Sequence, residues 1–289
     1  MTDDPHSLTG KLVLVTGAGT GIGRGVALVL ARQGADVALH YASSAQGAQD
    51  AVREIQSMGR RATAIQGDLG LVDECRRVVD EAAAFLGGLD GLVNNAGITL
   101  TRDFLDVSAE QFDRIYAVNI RGQYLCAQQA VRHMLARGEA LRREVPERPW
   151  AGGSIVNMSS VHGIAGYPGH SVYAGTKGAI NAWTRELAVE LCPRHIRVNA
   201  VAPGSVEVPR YWQTHPGYDR QTGDSWVPWG RIGLPEDVGY LVAYLISDAS
   251  EYMTGQVIQL DGGLTAKMAL ANAALANTAL TIQPPSDGR

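Results

Sequence analysis

Short apolar runs alternate with longer stretches whose apolar residues recur at helical spacing, from near the start of the chain to residue 260. The apolar runs predict strands at 12–16, 36–41, 62–66, 90–94, 153–159, 196–201 and 256–260. The amphipathic stretches predict helices at 21–34, 45–58, 71–86, 108–119, 121–137, 170–191 and 235–246. Continuous apolar strands that alternate with amphipathic helices favour an α/β fold. We therefore expect a Rossmann-like doubly wound parallel sheet of about seven strands with helices on both faces.

Three stretches interrupt this alternation, but none resembles a linker, so we expect a single domain over 1–289 with its core at 8–264. Residues 138–152 carry many charges and predict a surface insertion. Residues 205–234, called the 205–234 loop here, show no helix or strand period and contain five large aromatic residues. A loop of this length is typical of a substrate-binding loop or lid. Residues 265–289 form a tail, with a helix predicted in its alanine-rich part.

Composition narrows the class of protein. The 289 residues are 45% hydrophobic and carry a formal net charge of −4, which gives no reason to expect nucleic-acid binding. No apolar run approaches the ~18 residues of a membrane span, and the first ten residues lack the apolar segment of a secretory signal. The three cysteines, Cys75, Cys126 and Cys192, lie far apart and show no metal-site spacing. We expect a cytoplasmic protein with reduced cysteines, no metal and no membrane partner.

The first predicted strand ends in a glycine-rich turn, Thr16-Gly17-Ala18-Gly19-Thr20-Gly21-Ile22-Gly23. Glycines let the backbone approach a pyrophosphate, and the helix that begins there directs free N–H groups and its positive dipole end toward the phosphates. The turn therefore predicts a dinucleotide site. The second strand ends in His40-Tyr41-Ala42-Ser43-Ser44, without the acid that would bind a ribose 2′-hydroxyl. Either NADP or NAD fits this pattern. NADP is preferred, although the turn contains no arginine.

Tyr173 and Lys177 lie four positions apart on a predicted helix and so share one face. A nearby ammonium is expected to lower the pKa of the phenol, which would let the tyrosine exchange a proton with a substrate hydroxyl. Ser160 follows the preceding strand, thirteen residues before Tyr173. The carboxyl end of a strand is where α/β sheets bind ligands.

Further motifs follow the glycine turn in a fixed order. They are Asp68, Asn94-Asn95-Ala96-Gly97, Asn119, Ser160, Tyr173, Lys177, Arg197-Val198-Asn199 and Pro203-Gly204. With the glycine turn, they make residues 8–264 resemble the single-domain branch of the short-chain dehydrogenase/reductase superfamily. The resemblance implies an NAD(P)-dependent oxidoreductase that interconverts a secondary alcohol and a carbonyl by hydride transfer, and it also implies a homotetramer.

The resemblance also implies roles for individual residues. Tyr173 would be the general acid/base and Ser160 would hydrogen-bond the substrate oxygen. Lys177 would hold the nicotinamide ribose and lower the pKa of Tyr173, and Asn119 would hold a water that relays protons to Lys177. Besides Tyr173 and Lys177, the implied cofactor contacts are Gly17, Thr20, Gly21, Ile22, Gly23, Tyr41, Ser43, Asp68, Leu69, Asn95, Ala96, Gly97, Pro203, Gly204 and Val206. Val208 departs from the family pattern, which often has a threonine there.

Substrate contacts are expected from the residues after Ser160, from those before Tyr173 and from the 205–234 loop. The candidates are His162, Tyr167, Glu207, Arg210 and Trp212. Their polarity favours a small-molecule substrate such as a sugar or polyol. One alternative is a 3-oxoacyl-(acyl carrier protein) reductase, in which Arg132, Arg137, Arg142 and Arg143 would meet an acidic carrier. A non-catalytic, nucleotide-sensing scaffold on the same fold is the alternative from another class.

Overall fold

The computed structural model describes residues 4–144, 152–214 and 217–267. Its centre is a sheet of seven strands in the order β3-β2-β1-β4-β5-β6-β7, and every adjacent pair is parallel. The strands are β1 (Leu12–Val15), β2 (Asp36–Tyr41), β3 (Ala62–Gln66), β4 (Gly91–Asn94), β5 (Gly153–Met158), β6 (Ile196–Pro203) and β7 (Val257–Leu260). The predicted α/β class and doubly wound parallel sheet are confirmed.

Nine helices surround the sheet in the described residues. They are α1 (Gly21–Arg32), α2 (Ala45–Ser57), α3 (Val72–Leu86), α4 (Ala109–Tyr116), α5 (Gln123–Glu144), α6 (Ser171–Leu191), α7 (Pro209–Thr214), α8 (Arg220–Ser225) and α9 (Pro235–Ile246). Helices α1, α2 and α9 share one apolar layer, and α3, α5 and α6 share the other. The central strands β1, β4, β5 and β6 are therefore covered on both faces, which is why they read as continuous apolar runs, while the edge strands β3 and β7 are only partly buried.

Strand β1 contributes side chains to the apolar layers on both faces of the sheet. All four of its residues are buried; Val13 and Val15 join the layer of α1 and α9, while Leu12 and Leu14 join the layer of α3 and α5. Side chains of a strand alternate between the faces of a sheet, so a strand buried on both faces needs apolar residues at every position. The chain order reverses between β1 and β4, and ligands of such sheets bind at the carboxyl ends beside this point.

Two stretches that the sequence predicted as irregular, 138–152 and the 205–234 loop, contain helical residues. Helix α5 runs on to Glu144, so the first half of the predicted insertion at 138–152 is helical, while 145–151 lie outside the described residues. The 205–234 loop contains the short helices α7 and α8, whose six residues each are too few to show a helical period in the sequence. The helix predicted in the tail lies largely outside the described residues. None of the described helices is both long and apolar enough to cross a membrane.

Candidate active site

The glycines of the turn between β1 and α1 stand where a side chain would collide with neighbouring atoms. A Cβ atom at Gly23 would lie 2.3 Å from the carbonyl oxygen of Gly17 and 2.4 Å from Nδ2 of Asn95. Gly17 and Gly21 have positive φ angles of 65° and 54°, which favour glycine. The exposed Thr20 precedes α1, and its hydroxyl makes no capping hydrogen bond. The turn thus presents open backbone at a helix N-terminus, the arrangement that suits a pyrophosphate.

Asn95 and Thr16 tie this turn to the end of β4. Asn95 donates from Nδ2 to the carbonyl oxygens of Thr16 and Gly17, at 2.9 and 3.1 Å. The hydroxyl of Thr16 accepts from the backbone N–H groups of Asn95 and Ala96, at 3.0 and 2.9 Å. A Cβ atom at Gly97 would lie 3.4 Å from Oδ1 of Asn119. The Asn95-Ala96-Gly97 motif therefore shapes the cleft by holding the backbone of the glycine turn against the end of β4.

His40 supports the same turn from β2, a role that the sequence analysis missed. The N–H of Gly17 donates to Nδ1 of His40 at 3.1 Å, so Nε2 carries the proton and donates to the carbonyl oxygen of Gly67 at 3.0 Å. His40 is almost fully buried, and burial lowers its pKa. A neutral imidazole thus joins the glycine turn to the end of β3. The available signal was a histidine inside an apolar strand.

The side of the cleft next to β3 carries Asp68 and the buried Leu69. Asp68 accepts from the N–H of Gly70 at 2.9 Å and from the guanidinium of Arg114 at 3.0 Å. The hydrogen bond from Arg114 is the main reason that the pKa of Asp68 is lowered. Arg114 comes from α4 and was not predicted from the sequence.

The end of β2 lies against the glycine turn. Tyr41 is half-buried and Ser43 is exposed, so both remain open to a ligand. A Cβ atom at Gly19 would lie 2.7 Å from the carbonyl oxygen of Ser44. Ser44 precedes α2 without a side-chain capping bond.

Ser160 and Tyr173 come together at the carboxyl end of β5. The Ser160 hydroxyl accepts from the N–H of His162 at 3.2 Å. Burial raises the pKa of Tyr173, while the nearby Ser160 hydroxyl and the charge of Arg210 act in the opposite direction. The expectation that Lys177 lowers this pKa below its ordinary value is wrong for this structure, because the loss of solvent around the phenol outweighs the attraction of nearby charge.

Lys177 is buried beneath Tyr173. Its ammonium nitrogen donates to the carbonyl oxygen of Met158 at 2.7 Å and lies 5.3 Å from the centre of the Tyr173 ring. Burial lowers the pKa of Lys177 to about 8. The lysine can therefore gain or lose a proton close to neutral pH.

Asn119 lies in a π-helical stretch, Ala117–Gly122, between α4 and α5. Its side chain accepts from the N–H of Ile98 and donates to the carbonyl oxygen of Ile98, both at 2.8 Å. It also donates to the hydroxyl of Thr176 at 3.2 Å, and Thr176 donates to the carbonyl oxygen of Tyr173 at 2.7 Å. The π-helical stretch thus connects to the helix that carries Tyr173, and such stretches are frequent at functional sites.

The far side of the cleft is built from β6 and the 205–234 loop. Pro203 ends β6, and a Cβ atom at Gly204 would lie 2.7 Å from Cβ of Asp261. Val206 is buried and forms a bridge with Gly233. The side chain of Val208 packs near Gly21, where a Cβ atom would lie 3.2 Å away. Val208, which stands where the family often has a threonine, therefore packs on the glycine turn.

The predicted substrate residues fall into two groups. His162 and His170 lie beside Tyr173, and Tyr167 packs on the two histidines. Arg210 is near enough for its charge to act on Tyr173. Glu207 instead binds within the 205–234 loop, where it accepts from Arg220 at 2.8 and 3.2 Å and from Trp212 at 3.2 Å. Both of its carboxylate oxygens are therefore occupied by loop residues, and its position favours a structural role over substrate contact.

Residues 17–265 match the family model described as enoyl-(acyl carrier protein) reductase. The chain belongs to the short-chain dehydrogenase/reductase superfamily. It is 40% identical over 274 residues to the hydroxynaphthalene reductase-like protein Arp2 of Metarhizium robertsii, covering 90% of this chain and 97% of that protein. It is 38% identical over 273 residues to versicolorin reductase stcU of Emericella nidulans, covering 91% and 98%.

Solved structures of this superfamily have the same fold. A short-chain type dehydrogenase/reductase from Mycobacterium marinum superposes with a TM-score of 0.79 at 37% identity, covering 91% of this chain and 98% of that one. A short-chain dehydrogenase from Burkholderia cenocepacia, solved in complex with NADP, superposes with a TM-score of 0.78 at 36% identity, covering 89% and 99%. Our chain is thus an NAD(P)-dependent enzyme of the superfamily, and the scaffold alternative is set aside.

Proposed function

We propose that this enzyme is an NADP-preferring reductase of hydrophobic aromatic ketones. The observation that carries the proposal is the half-buried phenol of Tyr173, which stands beside His162 and over Lys177 and whose raised pKa keeps it protonated at neutral pH. A phenol that keeps its proton at neutral pH is suited to donate it to a developing alkoxide. Reduction of a carbonyl needs that donor.

The cleft fits a nicotinamide dinucleotide. The glycine turn would hold the pyrophosphate, because side chains at Gly17 or Gly23 would collide with neighbouring backbone. Asp68 and Leu69 would border the adenine, and Pro203, Gly204 and Val206 the nicotinamide. When bound, the reduced cofactor supplies a hydride. The preference for NADP is supported by the open Tyr41 and Ser43 and by the absence of an acid at the end of β2, and a related structure was solved with NADP.

The chain's own residues would then act in a simple sequence. Ser160 and Tyr173 hydrogen-bond the carbonyl oxygen and orient the ketone. Tyr173 donates its proton to that oxygen as negative charge develops, and Ser160 stabilises the charge. Lys177 lies beneath the ring and returns a proton to Tyr173. Asn119 and Thr176 fix the helix that carries Tyr173, and a water held at Asn119 would connect Lys177 to solvent.

An apolar rim supports an aromatic substrate over a sugar. On the side of Tyr173 the exposed apolar residues are Ile98, Phe104, Leu105, Ile164 and Tyr167, and Trp212 is exposed on the 205–234 loop. The segments 98–105 and 164–170 are joined beside the site, because the N–H of Arg102 donates to the carbonyl oxygen of Gly169 and Thr101 hydrogen-bonds His170. Exposed apolar surface around a cleft is typical of a site for apolar ligands. The two relatives above are named for hydroxynaphthalene and versicolorin. The sugar or polyol expectation has no such support.

The arginines of the carrier-protein alternative are occupied by neighbours. Arg132 donates to Gln129, Arg137 donates to Asp90, and Arg143 pairs with Glu139. Of these three contacts, only the close pair of Arg137 with Asp90 neutralises a charge, but Glu139 next to Arg143 adds negative charge to the surface that an acidic carrier would have to approach. We therefore favour a free small molecule as the substrate.

A homotetramer in the cytoplasm remains our proposal for the assembled enzyme. The family resemblance implies it, and exposed aromatic side chains on α4 and α5, Phe112 and Tyr124, support a covered surface there. Light scattering at micromolar concentration tests it, and a monomer peak would refute it.

The function itself is tested by following the absorbance of NADPH and NADH with 1-tetralone, acetoin and glucono-lactone as acceptors. We expect oxidation of NADPH with 1-tetralone to be the fastest of these reactions. Faster turnover of the sugar lactone would refute the aromatic substrate class, and no turnover of any ketone would refute the reductase.

A further inference from the structure

His162 lies beside the residues that we assign to the carbonyl oxygen. Its backbone N–H donates to the hydroxyl of Ser160 at 3.2 Å. Its ring centre is 5.6 Å from that of Tyr173, which it meets edge-on at 76°, and 4.8 Å from that of His170. The imidazole therefore forms one wall of the space next to the phenol and the serine hydroxyl.

The two histidines of this wall differ in their hydrogen bonds. His170 uses both ring nitrogens: Nδ1 donates to the carbonyl oxygen of Pro168 at 3.0 Å, and Nε2 accepts from the hydroxyl of Thr101 at 3.2 Å. In His162, Nδ1 is buried and makes no hydrogen bond to any residue that the structure describes. A buried polar atom without a partner costs free energy, which a ligand that supplies the partner recovers.

The chemistry of the missing partner follows from the charge of the ring. Burial and the neighbouring His170 lower the pKa of His162, so the imidazole is neutral at pH 7. A neutral imidazole has one donor and one acceptor. A hydroxyl group can donate to or accept from Nδ1, whereas an apolar group leaves Nδ1 unpaired and a carboxylate would find no positive charge on the ring.

We propose that His162 is a specificity residue that hydrogen-bonds a hydroxyl on the substrate carbon next to the carbonyl. This rests on the proposed function, because Ser160 and Tyr173 must hold the carbonyl oxygen. His162 follows Ser160 by two residues and contacts Tyr173, so a hydroxyl on the adjacent carbon is the substrate group nearest to its ring. A half-turn of the ring about the Cβ–Cγ bond would bring Nδ1 to the opposite edge without moving the ring plane.

The test compares 2-hydroxy-1-tetralone with 1-tetralone, two ketones that differ in this hydroxyl. For the unmodified enzyme with NADPH, we expect kcat/KM to be about 10-fold higher for the hydroxylated ketone, mainly through KM, which is the scale for one hydrogen bond to an otherwise unpaired group. In His162→Leu the ratio should fall to about one, while the affinity for NADPH, measured by fluorescence titration, stays unchanged. His162→Asn, which keeps a polar side chain of similar reach, should restore part of the ratio. His133→Leu, remote on α5, is the matched control.

The outcomes separate the two proposals. Equal kcat/KM for the two ketones in the unmodified enzyme, or an unchanged ratio in His162→Leu, would overturn the role of His162 while the reductase stands. If neither ketone is reduced, the proposed function fails, and the inference is then judged by binding alone. Quenching of tryptophan emission by each ketone in the NADP-loaded protein gives the two affinities, and a preference that His162→Leu does not remove would overturn the inference.

Discussion

The ammonium nitrogen of Lys177 lies 5.3 Å from the centre of the Tyr173 ring, within the range of a cation–π contact. Burial acts on the two groups in opposite directions, since it raises the pKa of the phenol and lowers the pKa of the ammonium to about 8. The pKa of Lys177 therefore falls below that of Tyr173, which reverses the ordinary order of the two groups. An ammonium that is more acidic than the phenol gives its proton readily to a phenolate, which is what a tyrosine needs if a lysine restores its proton after each turnover.

Tyr173→Phe removes the transferable proton and keeps the ring. We expect kcat for the best ketone to fall at least ~100-fold, the usual scale for general acid catalysis. The affinity for NADPH should change little, because the ring still packs over Lys177. Stopped assays and fluorescence titration measure the two quantities. Tyr240→Phe, an exposed tyrosine on α9, is the matched control, and an active Tyr173→Phe enzyme would refute the assignment.

Lys177→Met should stabilise the folded protein at pH 7 while it abolishes activity. The buried ammonium has a pKa of about 8 against 10.5 for the free amine, a difference equivalent to roughly 3 kcal/mol. Methionine avoids this cost but leaves the carbonyl oxygen of Met158 unpaired, so we expect a net gain of roughly 1–2 kcal/mol.

The pH dependence of that gain has a definite sign. Folding lowers the pKa of Lys177, so the unfolded chain binds more protons between pH 8 and 10.5, and the native protein becomes more stable as pH rises through that window. The advantage of Lys177→Met should therefore be full below pH 8 and shrink toward pH 10.5. Urea unfolding at several pH values measures it. Lys11→Met, which removes an exposed ion pair to Asp248, should bring no such gain.

The sequence predicted the sheet and brought out the candidate residues Ser160, Tyr173 and Lys177 because both depend on local patterns. Apolar runs report burial on both faces, and Ser160, Tyr173 and Lys177 stand at spacings that one strand end and one helix turn define. Other residues of the cleft are held by partners from remote segments of the chain, and no local spacing in the sequence predicts such contacts. Arg114 reaches Asp68 across 46 positions, and His40 reaches Gly67 across 27. The pKa of Tyr173 was predicted in the wrong direction because burial depends on the whole cleft.

Tyr41→Asp should shift the cofactor preference toward NAD. A carboxylate at the end of β2 would repel a ribose 2′-phosphate and accept a hydrogen bond from a 2′-hydroxyl. We expect the ratio of dissociation constants for NADP and NAD to rise at least ~10-fold, since an uncompensated like-charge contact costs more than ~1.4 kcal/mol. Tyr41→Asn is the uncharged control. An unchanged ratio would place the ribose away from Tyr41.

His40→Leu should weaken dinucleotide binding, although His40 acts only through the glycine turn that it supports. It leaves the N–H of Gly17 and the carbonyl oxygen of Gly67 without their hydrogen bonds to the imidazole. Two buried groups without partners are expected to cost about 2–4 kcal/mol of unfolding free energy and to loosen the glycine turn. Denaturant unfolding and titration with NADPH measure both effects. His133→Leu is the control, and normal stability with normal affinity would refute this role of His40.

The carboxylate of Glu207 joins α7 and α8, because it binds Trp212 of the first and Arg220 of the second. The side chain of Glu207 is only 9% exposed but that of Arg220 is 62% exposed, so solvent screens their ion pair and its contribution is modest. Glu207→Gln should cost the 205–234 loop about 1 kcal/mol of local stability, which corresponds to roughly five-fold faster hydrogen exchange. Arg61→Gln, which breaks an ion pair with Asp36 far from the loop, is the matched control.

The same measurement decides whether the 205–234 loop acts as a lid. If it closes over the site, NADPH together with a ketone analogue should slow exchange across the loop in the unmodified enzyme and exclude water from the reacting groups. Glu207→Gln should then raise KM for the ketone several-fold while kcat and the affinity for NADPH change little, because the loosened loop must be ordered each time substrate binds. Trp212→Ala should likewise raise KM for the ketone more than for the cofactor. Equal exchange of 205–234 in the free and the ternary states would reject the lid and leave Glu207, Trp212 and Arg220 as packing within a static loop.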